Sequence, residues 1–123
     1  MADEIRTSIS FQVSKGGASI ATGTLSDTID MTGTDMGTVT QSIGTTNEAL
    51  DIPVDVTGDV HLCVKNLDAT NYVEIFKDSG NSHLLSKLQP GEACMLMGVP
   101  SSSSLYGRAN TAAVQVQLWV TEV

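Results

Sequence analysis

The chain has 123 residues, enough for one domain with a single core; 41% are hydrophobic but only 4% are aromatic, so that core must be aliphatic. Six Lys and Arg against fourteen Asp and Glu give a formal net charge of −8, which argues against nucleic acid as a partner, because gripping phosphates needs clustered cations. No apolar run reaches the length of a signal peptide or a membrane span, so the chain reads as a soluble protein made in the cytoplasm, with no membrane partner.

The first element follows at once. Ile5, Thr7, Ile9, Phe11 and Val13 take odd positions and Arg6, Ser8, Ser10, Gln12 and Ser14 even ones, the period of an amphipathic strand, and Lys15-Gly16-Gly17 ends it. Such a strand either pairs in its own sheet or reaches to a neighbouring subunit, with Gly16-Gly17 as the hinge. Residues 1–20 are therefore read as an N-terminal strand or arm and residues 21–123 as the β domain. From residue 20 to 46 the chain is rich in Thr, Gly and Ser, with apolar pulses at Leu25, Ile29, Met31, Val39 and Ile43. Thr and Gly are poor in helix interiors, so the stretch predicts short strands with frequent turns.

Residues 50–64 carry the clearest pattern. Leu50, Ile52, Val54 and Val56 alternate with Asp51, Pro53, Asp55 and Thr57, and the parity resumes after Gly58-Asp59 at Val60, Leu62 and Val64. This predicts a β-hairpin with one core face and one wet face, on which His61 and Cys63 are covered by another element or chain. Asn66, Asp68 and Asn71 mark a turn, 72–77 resumes as a strand with Val73 and Ile75 opposite Tyr72, Glu74 and Phe76, and 78–82 turns again. A short strand over 83–88 leads into Gln89-Pro90-Gly91-Glu92, where Pro at the second and Gly at the third position predict a type II turn. Residues 93–99 lack alternation, Cys94 to Met97 being apolar throughout, so both faces of that strand are expected to be covered, one by the core and one by a subunit or partner. After Pro100 and four serines, a turn at Asn110-Thr111 precedes the last strand, with Val114, Val116, Leu118 and Val120 on one parity and Trp119 on the other. A Trp outside the core is either an interface anchor or covered by a loop. The elements together predict an all-β fold without significant helix, an antiparallel β-sandwich or jelly-roll-like barrel of about eight to ten short strands.

No chemistry stands out. His61 and His83, the only imidazoles, sit in no nucleophile or metal motif, and the glycines form no phosphate-binding loop. Asp27, Asp30 and Asp35 do not follow the spacing of a calcium loop. Cys63 and Cys94 suit two buried thiols, or one cross-strand bridge if their strands are neighbours in an oxidising medium. Sugar stacking has only Phe11, Tyr72, Phe76, Tyr106 and Trp119 to draw on. The reading is a non-enzyme with no catalytic residue, metal or cofactor.

Four phrases add to this reading: residues 44–53, the NLDATNYVEI segment within 64–75, the LQPGE turn at 88–92 and the ANTAAV segment at 109–114. Spread over residues 44–123, they resemble a group of small virion structural proteins of tailed bacteriophages. The resemblance implies a capsid decoration, or cement, protein, made in the host cytoplasm and seated on the capsid exterior. It also implies a β-rich homotrimer clasping the major capsid protein. The alternative is a tail, baseplate or fibre-associated β module contacting the host or other tail proteins. In either role, interfaces are expected at Ile5, Ile9 and Phe11 of the first strand, at Met95 and Met97, and at Trp119.

Overall fold

The computed structural model describes residues 5–31, 33, 35–52, 58–100 and 104–123. The chain divides into two compact units, Met1–Thr32 and Gly33–Val123.

The first unit is a two-stranded antiparallel ribbon of β1 (Ile5–Lys15) and β2 (Ala18–Ile29). Gly16 and Gly17 both have positive φ, 60° and 84°, the backbone that a tight two-residue hairpin turn requires. The pair offered as a hinge is thus the turn of a hairpin, and β1 pairs with its successor. Nor is the following stretch broken into short strands, because β2 runs unbroken for 12 residues. Gly23 forms a β-bulge within it. Ser10 stands opposite Thr24 and Gln12 opposite Ala21, so Thr22 and Gly23 together face Phe11, with Gly23 at φ 68°.

The second unit is a sandwich of two four-stranded antiparallel sheets, with no helix among the described residues and no closed barrel. Its strands are β3 (Met36–Ile43), β4 (Glu48–Ala49), β5 (Val60–Asn66), β6 (Val73–Phe76), β7 (Leu84–Leu88), β8 (Ala93–Val99), β9 (Tyr106–Ala109) and β10 (Val114–Glu122). One sheet has the order β3-β10-β5-β8 and the other β4-β9-β6-β7. Leu62, Val64, Val114, Val116 and Leu118 of the first sheet meet Val73, Ile75, Leu88 and Ala109 of the second in one aliphatic core. The long last strand is central, paired on both sides, as its strict alternation and fully buried valines require.

One expectation is corrected. The hairpin over 50–64 does not form: β5 has β10 and β8 as its neighbours, whereas Glu48–Ala49 lies in the other sheet. The Leu50 N–H donates to the Leu105 carbonyl at 2.9 Å, and the Ile52 N–H turns back to the Leu50 carbonyl at 3.0 Å, which ends the extended run; residues 53–57 lie outside the described residues. Phe76, by contrast, keeps the parity of Glu74, opposite Val73 and Ile75 as expected: it is buried outside the aliphatic core, its ring beside the Arg108 guanidinium. Within the chain β8 is an edge strand: Cys94 and Leu96 pack on the core, as expected of one face, while Met95 and Met97, on the face expected to meet a subunit or partner, are exposed.

The turns agree with their sequence chemistry. Gly91 has φ 83° and the Glu92 N–H donates to the Gln89 carbonyl at 3.0 Å, as a type II turn demands. Asp68 accepts from the amides of Thr70 and Asn71 at 2.9 and 2.6 Å. Those two turns meet through Asn66, and Thr111 Oγ1 donates to Asn71 Oδ1 at 2.8 Å. Three of the four phrases behind the phage resemblance therefore converge at one end of the sandwich.

Candidate interaction surfaces

Ile5, Ile9, Phe11 and Val13 share one face of β1. On β2 the apolar residues change parity, Ile20 being even and Leu25 and Ile29 odd, which in a regular strand would place them on opposite faces. The extra residue of the bulge cancels that change. Ile20 stands opposite Val13, Leu25 opposite Ile9 and Ile29 opposite Ile5, so the ribbon keeps a single apolar face. That face is open except at its Ile5 end: Phe11 is 57% exposed, Ile20 65% and Leu25 56%, whereas Ile5 is buried at 8%. The other face is polar, with Ser8 opposite Ser26, Ser10 opposite Thr24 and Ser14 opposite Ser19.

The outer faces of the two sheets differ sharply. Across the β4-β9-β6-β7 sheet runs a charged row, Lys87, Glu74 and Arg108, in register on three adjacent strands. Arg108 Nη2 donates to Glu74 Oε1 at 3.0 Å, and its guanidinium lies 5.1 Å from the centroid of the Phe76 ring. Across the other sheet the corresponding row is apolar: Met95 of β8, Cys63 of β5 and Trp119 of β10 stand in register. Met95 is 41% and Trp119 43% exposed, and Met97 extends the patch along the edge strand. Apolar rows on an outer face have no part in the core, and the pair of exposed methionines with a Trp has the adaptable, large-area chemistry of a contact surface.

The six expected contact residues thus fall in two places, Ile5, Ile9 and Phe11 on the ribbon and Met95, Met97 and Trp119 on the sandwich. Sequence reasoning missed Ile20 and Leu25, since their change of parity hides the shared face unless Gly23 is read as a bulge. It also missed Cys63 as the link between Met95 and Trp119, because the strand neighbours of β5 were unknown.

The groups that might carry chemistry are otherwise engaged. His61 Nδ1 accepts the Gly98 N–H at 2.9 Å, so the neutral ring carries its proton on Nε2 and has no lone pair left for a base or a ligand. That Nε2 is buried without a hydrogen-bond partner among the described residues. His83 lies at the surface beside Asp78, 3.5 Å away. Cys63 and Cys94 are on paired strands, yet Cys63 stands opposite Met95 and Cys94 opposite Val64, so the thiols point to opposite faces and are free. Burial pushes both thiols up from their ordinary pKa, which disfavours the reactive thiolate. Among the described residues no group of three or more His, Cys, Asp or Glu is placed to hold a metal ion.

Compared with models of protein families, with curated protein sequences and with solved structures, the chain matches none.

Proposed function

We propose that the chain is a structural component of a tailed-phage virion, a decoration protein that binds the assembled capsid shell as an oligomer and stabilises it. The observation that carries this reading is the ribbon: a β unit of its own whose one apolar face, maintained across a bulge, is uncovered from Ile9 to Val13 and at Ile20 and Leu25. An isolated two-stranded ribbon is marginal in water, so such a unit is suited to contact rather than to catalysis. The phrases shared with small phage virion proteins supply the kind of assembly.

The mechanism needs no active site. A ligand that binds only the assembled shell stabilises that shell by mass action, and an oligomer adds its contacts so that several modest interfaces act together. The acidic surface then favours a basic shell surface, and attachment weakens as salt rises. The test is to mix the purified protein with undecorated shells and sediment them. Saturable co-sedimentation at many copies per shell, with a higher shell melting temperature, supports the proposal. A protein that ignores shells and is present in only a few copies per virion overturns it in favour of a tail module.

A further inference from the structure

We propose that the apolar ribbon face of one copy docks on the Met95–Cys63–Trp119 row of a second copy, each chain giving its ribbon to one neighbour and receiving another. The inference deepens the self-association in the reading above and rests on that reading for its biological setting, but its test does not involve shells.

Charge selects the occupant. The ribbon strands, Ile5–Lys15 and Ala18–Ile29, carry Arg6 and Lys15 against Asp27 alone, with Asp3, Glu4 and Asp30 outside them, whereas in the sandwich the acids far outnumber Lys65, Lys77, Lys87 and Arg108. Two sandwiches repel each other, and the ribbon is the part of a second copy that approaches without that repulsion. The approach also has a direction. Asp27 stands opposite Thr7 on the apolar face, two residues from Leu25, and Lys65 shares the outer face of β5 with Cys63, two residues away. One acid and one base therefore flank matching apolar surfaces at equal spacing. The charged Lys87–Glu74–Arg108 row on the other sheet offers no such match.

Size makes the contact reciprocal. A ribbon with strands of 11 and 12 residues covers a footprint of about 350 Å², taking about 3.3 Å per residue and about 10 Å for two strands. That is roughly half of the ~800 Å² per partner found in stable interfaces. A ribbon stacked on its own copy buries only that one face. When each chain both gives a ribbon and receives one, it buries two such faces, and head-to-tail contacts of this kind make a ring when the rotation between copies closes.

The test uses three full-length proteins kept reduced: wild type, the ribbon variant Leu25→Asp and the sheet variant Met95→Asp. Light scattering gives their mass, circular dichroism confirms their fold, and the emission of Trp119, the sole tryptophan, reports on the docking face. Wild type is expected to be a closed oligomer whose emission shifts to the red as dilution dissociates it, and each variant alone a monomer. Mixed, the two variants form a heterodimer, because the intact ribbon of one meets the intact row of the other. A monomeric wild type overturns the inference. So does a Met95→Asp protein that keeps the wild-type mass, which would place the ribbon on another ribbon. Should Leu25→Asp misfold, Leu25→Ser replaces it under the same expectations. A ring that ignores shells leaves this inference standing while defeating the decoration role, and a monomer that binds shells does the reverse.

Discussion

The side-chain amide of Asn66 donates to the Leu88 carbonyl at 3.0 Å, fastening the end of β5 in one sheet to the end of β7 in the other. The same amide donates to the Asn71 carbonyl at 2.9 Å, and Asn66 Oδ1 accepts the Asp68 N–H at 2.8 Å, all with Asn66 fully buried. Every polar atom of this side chain is satisfied, which is what permits a polar group at a sandwich seam. Asn66→Ala strands two carbonyls and an amide, and is expected to lower stability by about 2–4 kcal/mol in urea unfolding. Asn66→Asp keeps the shape but aims a carboxylate at two carbonyl oxygens, so it falls at least as far. A variant as stable as wild type would show that the seam is held elsewhere.

Acid should loosen two turns. The amides of Asn71 and Thr70 hold the Asp68 carboxyl below the usual aspartate range. At Asp78 desolvation pushes upward, but the amides of Ser82 and His83 outweigh it and the carboxyl is again held low. Because both pKa values are depressed in the folded state, the unfolded chain takes up protons first as pH falls. The stabilisation is therefore complete above the ordinary aspartate pKa of about 4 and is lost as pH drops through the depressed values. Melting temperatures of wild type and Asp68→Asn are expected to differ at neutral pH and to converge in strong acid. A gap that persists unchanged into acid would remove the charge from the explanation.

The strands that carry a strict period-two pattern, such as Ile5–Lys15 and Val114–Glu122, were legible in the sequence because a one-sided strand alternates in residue type whether its apolar face is open, as in the first, or buried, as in the second. The turn chemistry of Gln89-Pro90-Gly91-Glu92 was equally legible, since Gly91 must supply a positive φ. Pairing was not. The run at 50–56 and β5 share a parity, but which strands lie side by side depends on long-range packing that alternation does not encode, and β10, the last strand, takes the place beside β5. Of the contact surfaces, Phe11 could be picked out on the apolar face of a first strand, Met95 in a run without alternation and Trp119 off the core parity. Their association with Leu25 and Cys63 required the bulge and the strand order.

Glu122 fastens two loops to the end of β10. Its Oε1 accepts the Asp35 N–H at 3.1 Å and its Oε2 the Gly58 N–H at 2.8 Å, with the side chain buried. Glu122→Ala leaves those amides without this acceptor and is expected to cost about 1–3 kcal/mol. Gly33 lies against the same side chain, and a Cβ there would sit 2.5 Å from Glu122 Cβ. Gly33→Ala is therefore expected to destabilise by about 1–3 kcal/mol through overpacking. Thermal unfolding of the two single variants and the double variant checks the coupling. The Cβ contact survives in Glu122→Ala, so Gly33→Ala is expected to stay harmful in that background and to lose its cost only in Glu122→Gly; a full cost there would place the clash elsewhere.

The thiols should be slow. Burial raises Cys63, and burial followed by the charge of Cys63 raises Cys94, so the thiolate fraction of each near neutral pH is below that of a free cysteine. Reaction with a disulfide reagent is expected to be several-fold slower than for glutathione, and to rise steeply only above the ordinary thiol pKa of about 8.5. In the ring proposed above, Cys63 slows further on assembly and Cys94 does not. Mass spectrometry of the labelled sites distinguishes them, and a Cys63 that labels equally fast in monomer and oligomer places the contact elsewhere.

Gly23 is the residue that absorbs the change of parity in the ribbon. It supplies the positive φ of the bulge, and the bulge brings Ile20 and Leu25 to the same face despite their opposite parity. Gly23→Ala retains the residue count, so the register survives and the change is confined to backbone strain of about 1 kcal/mol. Deleting Gly23 removes the extra residue. The ladder then closes without a bulge, with Thr22 alone opposite Phe11, and Leu25 and Ile29, now an even number of residues from Ile20, stay on its face. The deletion is therefore expected to keep the sandwich core, its melting transition and the oligomer, whereas Gly23→Ala weakens the oligomer modestly. Light scattering with a parallel thermal melt checks both proteins. If the deletion abolishes the oligomer, the bulge itself and not the continuous apolar face joins the copies.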